Sequence, residues 1–323
     1  VWISGYNTYV FLGFENSSTR KVFTQMSSLT GATAIYSNEV HSLVIKSDGT
    51  SCVLGTNMNG ALGLPSTISR SSSLVDTGVS NAVGIAGGFF YSVILKEDGT
   101  VWTFGLNNYG QLGLGEQYAT RSLSWLPAFV RATSTTVQVS AGSEFSLALN
   151  SDGTVWASGK NNYNQLGDGT TNDSNSPIQV KDSDGTGVLK DITMIAAGSG
   201  HGLALKSDGT VWAWGGNGSG QLGNGTTNDS GLPVQVEDLD SVIQVATRRE
   251  TSYALKSDGT VWAWGDNLEG YLGDGGWEGS SIPVQVSSLV GITKIVAGDG
   301  HTVALKSDGT VWNWGRNSSG NLG

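Results

Sequence analysis

Short apolar runs separated by small polar turns recur along this chain. In the clearest example, Leu203–Leu205 and Val211–Trp214 are joined through Ser207–Thr210. β-Prone residues fill both runs, and an Asp-Gly pair tolerates the positive φ values of a tight type I′ turn. The pattern therefore predicts a β-hairpin that turns at Asp208-Gly209.

Two further strands flank this hairpin. Ile192–Ala196 alternates weakly and predicts a strand before it. Leu232–Val236 predicts a strand after it, with Pro233 at its start, where the ladder needs no N–H donor. No segment has a helical pattern of convincing length. Four short antiparallel strands are the content of one blade of a β-propeller.

This unit repeats with a period of about 50 residues, which is typical of propellers and solenoids. The Asp-Gly-Thr triplet begins at Asp48, Asp98, Asp152, Asp208, Asp258 and Asp308. We therefore predict an all-β fold, a single propeller domain over residues 1–323. Its approximate units are 1–31, 32–81, 82–135, 136–190, 191–240, 241–290 and 291–323, the first and last being incomplete.

A count of strands bears on the number of blades. Val1–Gly5 matches Val311–Gly315, so the chain starts at the third strand of a unit, and Lys21–Met26 predicts a fourth. The total is about 25 strands, whereas seven blades need about 28 and six need about 24. We favour seven blades, with the remaining strands outside the sequence, over six blades closed by Lys21–Met26.

Composition narrows the function classes. The formal net charge is −10 and only 14% of residues are charged, which argues against a nucleic-acid surface, since such a surface needs clustered Lys and Arg. No apolar run is long enough to span a bilayer. The single cysteine, Cys52, excludes an internal disulfide framework. It stands where other units carry a Trp, so we expect a buried thiol.

The segment ALKSDGTVWAWGGNGSGQLGNGT, Ala204–Thr226, resembles the repeat of the regulator of chromosome condensation family. The resemblance covers essentially the whole chain and implies a seven-bladed β-propeller. Members of that family include a guanine-nucleotide exchange factor, a plant ultraviolet-B photoreceptor and secreted bacterial β-lactamase inhibitors. The regular units resemble bacterial and phage versions. Gly198–Gly202 and Gly298–Thr302 lack the Trp and Arg of the photoreceptor signature, so light sensing is not expected.

Two tryptophans, Trp125 and Trp277, lie outside the repeat register, in loops predicted to follow the third strand. The other nine belong to the repeat and are expected to pack between blades. An aromatic residue in a propeller loop has no packing layer assigned to it, so both are candidate partner contacts. For Trp125 the competing interpretation is local packing against neighbouring apolar residues.

A second departure from the repeat is Arg248-Arg249-Glu250, which stands where neighbouring units have Gly and Ser. Strand direction alternates within a blade, so the loops after the first and third strands share a face. These three residues should therefore share a face and a blade with Trp277 and Glu278. Arg and Trp are enriched at binding hot spots, so we predict a partner-binding site here. The alternative is a solvated charged turn.

Other polar groups favour structural roles. His41, His201 and His301 occupy one repeat position, one per blade, whereas a metal site needs converging ligands. The loops Gly167–Asp173 and Gly223–Asp229, and the insertion Asp182–Gly185, lack the spacing of an EF-hand. We predict no metal, no cofactor and no catalytic residues.

These observations favour a non-catalytic scaffold that contacts a protein or glycan through one propeller face, displayed on a cell surface or virion. A homo-oligomer or lattice is compatible with this expectation. The alternatives are an intracellular regulator of exchange-factor type and a secreted enzyme inhibitor. No nucleic-acid partner is expected.

Overall fold

The computed structural model describes residues 2–5, 19–26, 29–38, 40–115, 123–128 and 135–323. The strands, grouped by sheet, are β1 Trp2–Gly5 and β2 Arg20–Gln25; β3 Ala32–Ser37, β4 His41–Lys46, β5 Ser51–Thr56 and β6 Arg70–Asp76; β7 Ala82–Gly87, β8 Tyr91–Lys96, β9 Val101–Gly105 and β10 Leu123–Ala128; β11 Thr136–Ala141, β12 Phe145–Asn150, β13 Val155–Gly159 and β14 Ser174–Gln179; β15 Ile192–Ala197, β16 His201–Lys206, β17 Val211–Gly215 and β18 Ser230–Gln235; β19 Val242–Arg248, β20 Thr251–Lys256, β21 Val261–Gly265 and β22 Ser280–Gln285; β23 Ile292–Ala297, β24 His301–Lys306 and β25 Val311–Gly315. A short 3-10 helix spans Met58–Gly60.

The sheets are the blades of a β-propeller, each an antiparallel meander. Blades 1 to 5 (β3–β6, β7–β10, β11–β14, β15–β18 and β19–β22) have four strands, and blade 6 (β23–β25) has three. The hairpin β1–β2 forms a separate two-stranded sheet, placed beside blade 6 by the Ser4 hydroxyl, which donates to the Asn321 carbonyl at 3.4 Å. The structure thus supports six blades, the second of our two expected counts. The seventh blade that we favoured is not formed, because only two strands precede β3 in the described residues.

The turn between the second and third strands differs from the type I′ turn predicted from Asp-Gly. Of Asp208 and Gly209, only Gly209 has a positive φ, 82°. The Gly209 N–H donates to the Lys206 carbonyl at 3.0 Å, and the Lys206 N–H donates to the Thr210 carbonyl at 2.9 Å. This is a wider hairpin loop with a left-handed Gly, in which the Asp208 carboxylate accepts from the Thr210 N–H at 2.9 Å.

The outer strand also differs slightly from its prediction. β18 begins at Ser230, so Pro233 lies inside the strand rather than at its start. It is tolerated there because β18 is the outer strand of its sheet, with a partner on one side only.

The core lies between neighbouring blades. In blades 1 to 5 the second and third strands are mostly buried on both faces, as in β16 and β17, because neighbouring sheets cover them, whereas β25 of blade 6 is partly exposed. Trp214 of blade 4, for example, packs into one cluster with Leu147 and Leu166 of blade 3. Cys52 is buried, as expected. Within the described part, no helix is long and apolar enough to cross a membrane.

Polar contacts fix each blade against the preceding one. The indole N–H groups of Trp214, Trp264 and Trp314 donate to the carbonyls of Gln165, Gln221 and Tyr271 at 3.0, 2.9 and 2.9 Å. Each acceptor lies in the loop after the third strand of the preceding blade. The predicted role of the repeat tryptophans in packing between blades is therefore seen at these three positions.

The repeat histidines take part in the same contacts. The Ser252 hydroxyl donates to the Gln221 carbonyl at 2.8 Å, so it accepts from His201 Nε2, which lies 2.9 Å away. His41 and Ser92 form the same pair at 2.9 Å. Both imidazoles are thus protonated on Nε2, and their buried Nδ1 atoms have no hydrogen-bond partner. Burial lowers the pKa of His41 and of His201 to about 3, and at His41 the Arg248 charge contributes as well.

We expect these histidines to make the fold acid-labile between pH 6 and 4.5. The folded chain keeps both imidazoles neutral, whereas the unfolded chain protonates them below about pH 6.5. The stabilisation that comes from keeping the histidines neutral is therefore fully present above that pH. Below it, the free energy of unfolding falls by about 1.4 kcal/mol per pH unit for each histidine. The free energy of unfolding in urea, measured across this range, checks the slope.

Two variants isolate the effect. His201→Phe places the aromatic side chain found at Phe145, the same repeat position, and His201→Gln keeps a hydrogen-bond donor. Either variant should reduce the dependence of the free energy of unfolding on pH by the equivalent of about one bound proton. The turn aspartates, whose pKa values are lowered by hydrogen bonds from Thr, also lose stabilisation on acidification, but they are the same in wild type and variants, so their contribution cancels in the difference between the slopes. An unchanged slope in both variants would contradict the assignment.

Candidate functional site

The predicted site lies on one face of blade 5. We call front face the surface formed by the loops after the first and third strands of each blade, which in blade 5 join β19 to β20 and β21 to β22. Arg249 and Glu250 form the first loop, and Trp277 and Glu278 belong to the second. The Asp266 N–H donates to the Glu250 carbonyl at 2.9 Å, which joins the two loops at their base.

The two arginines share one carboxylate of blade 6. Arg249 forms a bidentate pair with Asp299, with Nε to Oδ1 at 2.5 Å and Nη2 to Oδ2 at 3.0 Å. Arg248 Nε lies 3.7 Å from the same Oδ1. The Asp299 side chain is only 14% exposed, so it accepts these charges in a partly desolvated place. This cluster fastens blade 5 to blade 6 at the inner edge of the front face.

Arg248 also reaches blade 1. Its Nη1 donates to the Tyr36 hydroxyl at 3.4 Å, and Tyr36 in turn donates to the Gly87 carbonyl of blade 2. Burial alone lowers the pKa of the Arg248 guanidinium, but the interactions with Tyr36 and Asp299 outweigh it and raise the pKa. Arg248 is thus a permanent cation that connects blades 1, 5 and 6. Its contacts are structural rather than directed to solvent.

A second substitution in the same unit accompanies Arg248. At the equivalent Gly198, an added Cβ would approach the His201 ring within 2.3 Å, so glycine avoids a clash with the histidine three residues later in blade 4. Glycine is not obligatory before a histidine, because blade 1 has Asn38 three residues before His41. In blade 5 the histidine position is Thr251, whose hydroxyl donates to the Asp266 carbonyl at 3.0 Å. The larger Arg248 is thus accompanied by a side chain smaller than the histidine of blade 4.

Trp277 lies at the outer part of the front face, away from the arginines. Its side chain is 67% exposed, and its ring edge lies 3.7 Å from the position of a Cβ built on Gly270. Leu268, in the turn that Gly270 closes, is 78% exposed. Trp277 and Leu268 thus both lie at the Asn267–Gly270 turn, and among the described residues no hydrogen bond or ring contact joins Trp277 to Arg248 or Arg249.

The loop that carries Trp277 is built as in blade 4. Asn267 Nδ2 donates to Asp274 Oδ1 at 3.3 Å and to the Glu278 carbonyl at 3.0 Å. In blade 4, Asn217 Nδ2 donates to Asn224 Oδ1 at 3.3 Å and to the Asn228 carbonyl at 2.9 Å.

The residue that matches Trp277 in this frame is Thr227. These two hydrogen bonds are therefore made in blade 4 without an indole. Blade 4 adds contacts from Asp229 and Thr226, whose places in blade 5 are taken by Gly279 and Gly276.

The remaining predicted site residues are Glu250, Glu278 and Trp125. Glu250 and Glu278 are exposed within the two blade 5 loops. Trp125 lies in β10, the outer strand of blade 2, and not in a loop as predicted, because the strand pairs with β9 through Leu126 and Pro127. The side chain of Trp125 lies outside the described residues.

The loops considered for calcium use their oxygens internally. Asp168 accepts from Asn161 Nδ2 at 3.1 Å and from the Thr170 N–H at 3.0 Å. No group of three or more His, Cys, Asp or Glu side chains suited to a metal occurs among the described residues.

The sequence interpretation missed three contributors. Asp299 could have been found, since it stands 50 residues after Arg249, at the same repeat position in the next blade, with the opposite charge. Leu268 could also have been found as an apolar residue where other units have Gly218 or Asn162. Tyr36 could not, because nothing in the repeat indicates which blades Arg248 spans.

The chain is similar to a known protein family over most of its length. The sequence model of the RCC1-like domain family matches residues 73–323 of this chain. The human E3 ubiquitin-protein ligase HERC2 is 42% identical over 103 residues, which are 32% of this chain and 2% of that protein. The chain thus spans only a small part of this relative.

Solved structures match the whole fold. Human WBSCR16 superimposes with a TM-score of 0.86 at 21% identity, covering 100% of this chain and 90% of that one. Prp20p from Saccharomyces cerevisiae, described with its binding to Gsp1p and histones, superimposes with a TM-score of 0.85 at 22% identity, covering 99% and 82%. At these identities the likeness concerns the fold alone.

The shared carboxylate yields a stability prediction. Asp299→Ser, which introduces the residue of the equivalent Ser199, should lower the free energy of unfolding by roughly 2–4 kcal/mol, because it leaves the Arg248 cation partly buried without a carboxylate. In a chain that also carries Arg248→Gly and Arg249→Ser, the same change should cost less than about 1 kcal/mol. Urea unfolding of the four chains measures this coupling, and an equal cost in both backgrounds would exclude it.

Proposed function

Because the chain belongs to the RCC1-like domain family, we propose that it is a non-catalytic scaffold that binds a protein through the front face of blade 5. The observation that carries the proposal is the 67% exposure of Trp277, in a loop whose Asn267 hydrogen bonds are made in blade 4 without an indole. Trp dominates binding hot spots because it buries a large, rigid surface, and a solvated Trp with no packing role is uncommon. The protein partners of Prp20p, Gsp1p and histones, support a protein as the binding partner here.

The arginines are not part of the proposed contact surface. The side-chain contacts of Arg248, Arg249 and Asp299 join blade 5 to blades 1 and 6, so these residues hold the blades together. The ligase activity of HERC2 is not part of the proposal, since the matched segment is 2% of that protein.

As part of the same proposal, the scaffold is displayed on a cell surface or virion. Its support is the low content of charged residues, 14%, and the Ser, Thr and Asn of the loops. Labelling of intact producing cells or particles with a membrane-impermeant reagent tests this. Protection of the chain would instead favour an intracellular regulator, for which nucleotide release from candidate GTPases is the direct assay. Inhibition of a co-purifying enzyme would favour a secreted inhibitor.

We expect Trp277→Thr to weaken partner binding by a factor of about 30 or more, the loss of one hot-spot residue. The change installs the residue that Thr227 supplies in blade 4, so the thermal unfolding temperature should stay the same. Chemical cross-linking in the native source, with quantitative mass spectrometry of wild type and variant, identifies partners that the variant loses.

Thr171→Ala, in the equivalent loop of blade 3, is the matched control and should lose none of them. The proposal fails if every cross-linked partner is retained by Trp277→Thr.

A further inference from the structure

The surface around Trp277 combines apolar side chains with uncompensated negative charge. We define the Trp277 patch as Leu268, Trp277, Glu250, Asp266, Asp274 and Glu278. The backbone links these residues closely: the Asp266 N–H donates to the Glu250 carbonyl at 2.9 Å, and Asp266 Oδ1 accepts from the Leu268 N–H at 3.2 Å. Trp277 packs beside Gly270, and Glu278 follows it directly.

The positive charges nearby are already engaged. Arg316 Nε lies 3.3 Å from Glu269 Oε2, and Arg249 holds Asp299. The four carboxylates of the patch, in contrast, form no ion pair with any residue in the described ranges. Asp274 accepts hydrogen bonds from Asn267 and from the Gly276 N–H, which orient its carboxylate but leave its charge uncompensated.

We propose that the Trp277 patch binds a basic peptide segment, in which an Arg or Lys side chain lies next to an apolar one. Such a segment is complementary to the negative charge and the apolar side chains of the patch. This inference rests on the proposed function and gives the partner its chemistry. The cation stacks on the exposed indole face, the arrangement favoured by the quadrupole of an aromatic ring, while the carboxylates of the same two loops supply the opposite charge. Leu268 receives the neighbouring apolar side chain.

The patch is less suited to other ligands. An acidic peptide or an acidic glycan would be repelled by the four carboxylates. A neutral glycan can stack on Trp and donate hydroxyl hydrogen bonds to carboxylates, but it would leave the four negative charges of the patch without a counter-charge, whereas a basic peptide compensates them.

Blade 4 provides substitutions that leave the loop intact. Asp274→Asn introduces the residue of Asn224, and Glu278→Asn introduces that of Asn228. Asn224 makes the same contact with Asn217 as Asp274 makes with Asn267, both at 3.3 Å. These variants remove charge and keep the hydrogen bonds, so circular dichroism and thermal unfolding should match wild type.

The test is a selection from a library of random linear peptides on the purified chain, depleted first on Trp277→Thr. We expect the enriched peptides to contain Arg or Lys beside an apolar residue. The tightest of them should bind the Asp274→Asn, Glu278→Asn double variant about tenfold more weakly or worse, and should weaken several-fold from about 50 to 500 mM salt.

The outcomes separate the two proposals. Enriched peptides that depend on Trp277 but are neutral or acidic, or that bind the double variant as well as wild type, overturn the basic-peptide inference and leave the scaffold function standing. A neutral glycan on an array that binds wild type and not Trp277→Thr does the same. If no peptide distinguishes wild type from Trp277→Thr, the inference is overturned, and the scaffold function falls only if cross-linking also finds no partner that the variant loses.

Discussion

The structure depends on hydrogen bonds that cross from each blade to the loop of the blade before it. The carbonyl of Gln221 accepts both the Ser252 hydroxyl, at 2.8 Å, and the Trp264 indole N–H, at 2.9 Å, so both of its lone pairs are used. A buried indole or hydroxyl without such an acceptor would carry the full desolvation penalty. Each front-face loop is therefore held by the next blade, and the side chains it presents stand on a fixed backbone. The loop that bears Leu268 is held in this way by Trp314 of blade 6.

Near-identical units make the exceptions informative. In blade 4, glycine at Gly198 avoids a clash with His201, whereas blade 1 combines Asn38 with His41. Blade 5 replaces both the glycine and the histidine, by Arg248 and Thr251. The blades pack against their neighbours, but Arg248 extends from blade 5 to Tyr36 of blade 1, so a substitution in one blade can also act on a blade that is not adjacent to it. At Trp277 the change is local, since Asn267 makes the two loop hydrogen bonds that Asn217 makes in blade 4.

Much of the fold could be predicted because local and repeated signals agree. The apolar runs, the Asp-Gly turns and the period define the strands within a few residues, and the resemblance to the regulator of chromosome condensation family is confirmed by the match to the RCC1-like domain. Turn type and strand membership were less accessible. Asp208-Gly209 is compatible with two hairpin geometries, and only pairing across the blade selects one. Trp125 was assigned to a loop because its segment lacks the repeat motif, yet it pairs with β9.

At the candidate site, the sequence indicated which residues depart from the repeat but not the direction of every side chain. Sequence alone identified Arg248 and Trp277 as departures and placed them on one face of one blade, which the structure shows. It could not indicate that the arginine turns inward, since that direction follows from how three blades converge on Tyr36. The tryptophan is left facing solvent, and an exposed indole promotes self-association. Here the surrounding carboxylates oppose contact between two copies, because like charges would meet. The negative charge around Trp277 is thus compatible with two effects. It disfavours contact between two copies of the chain, and it favours a positively charged partner.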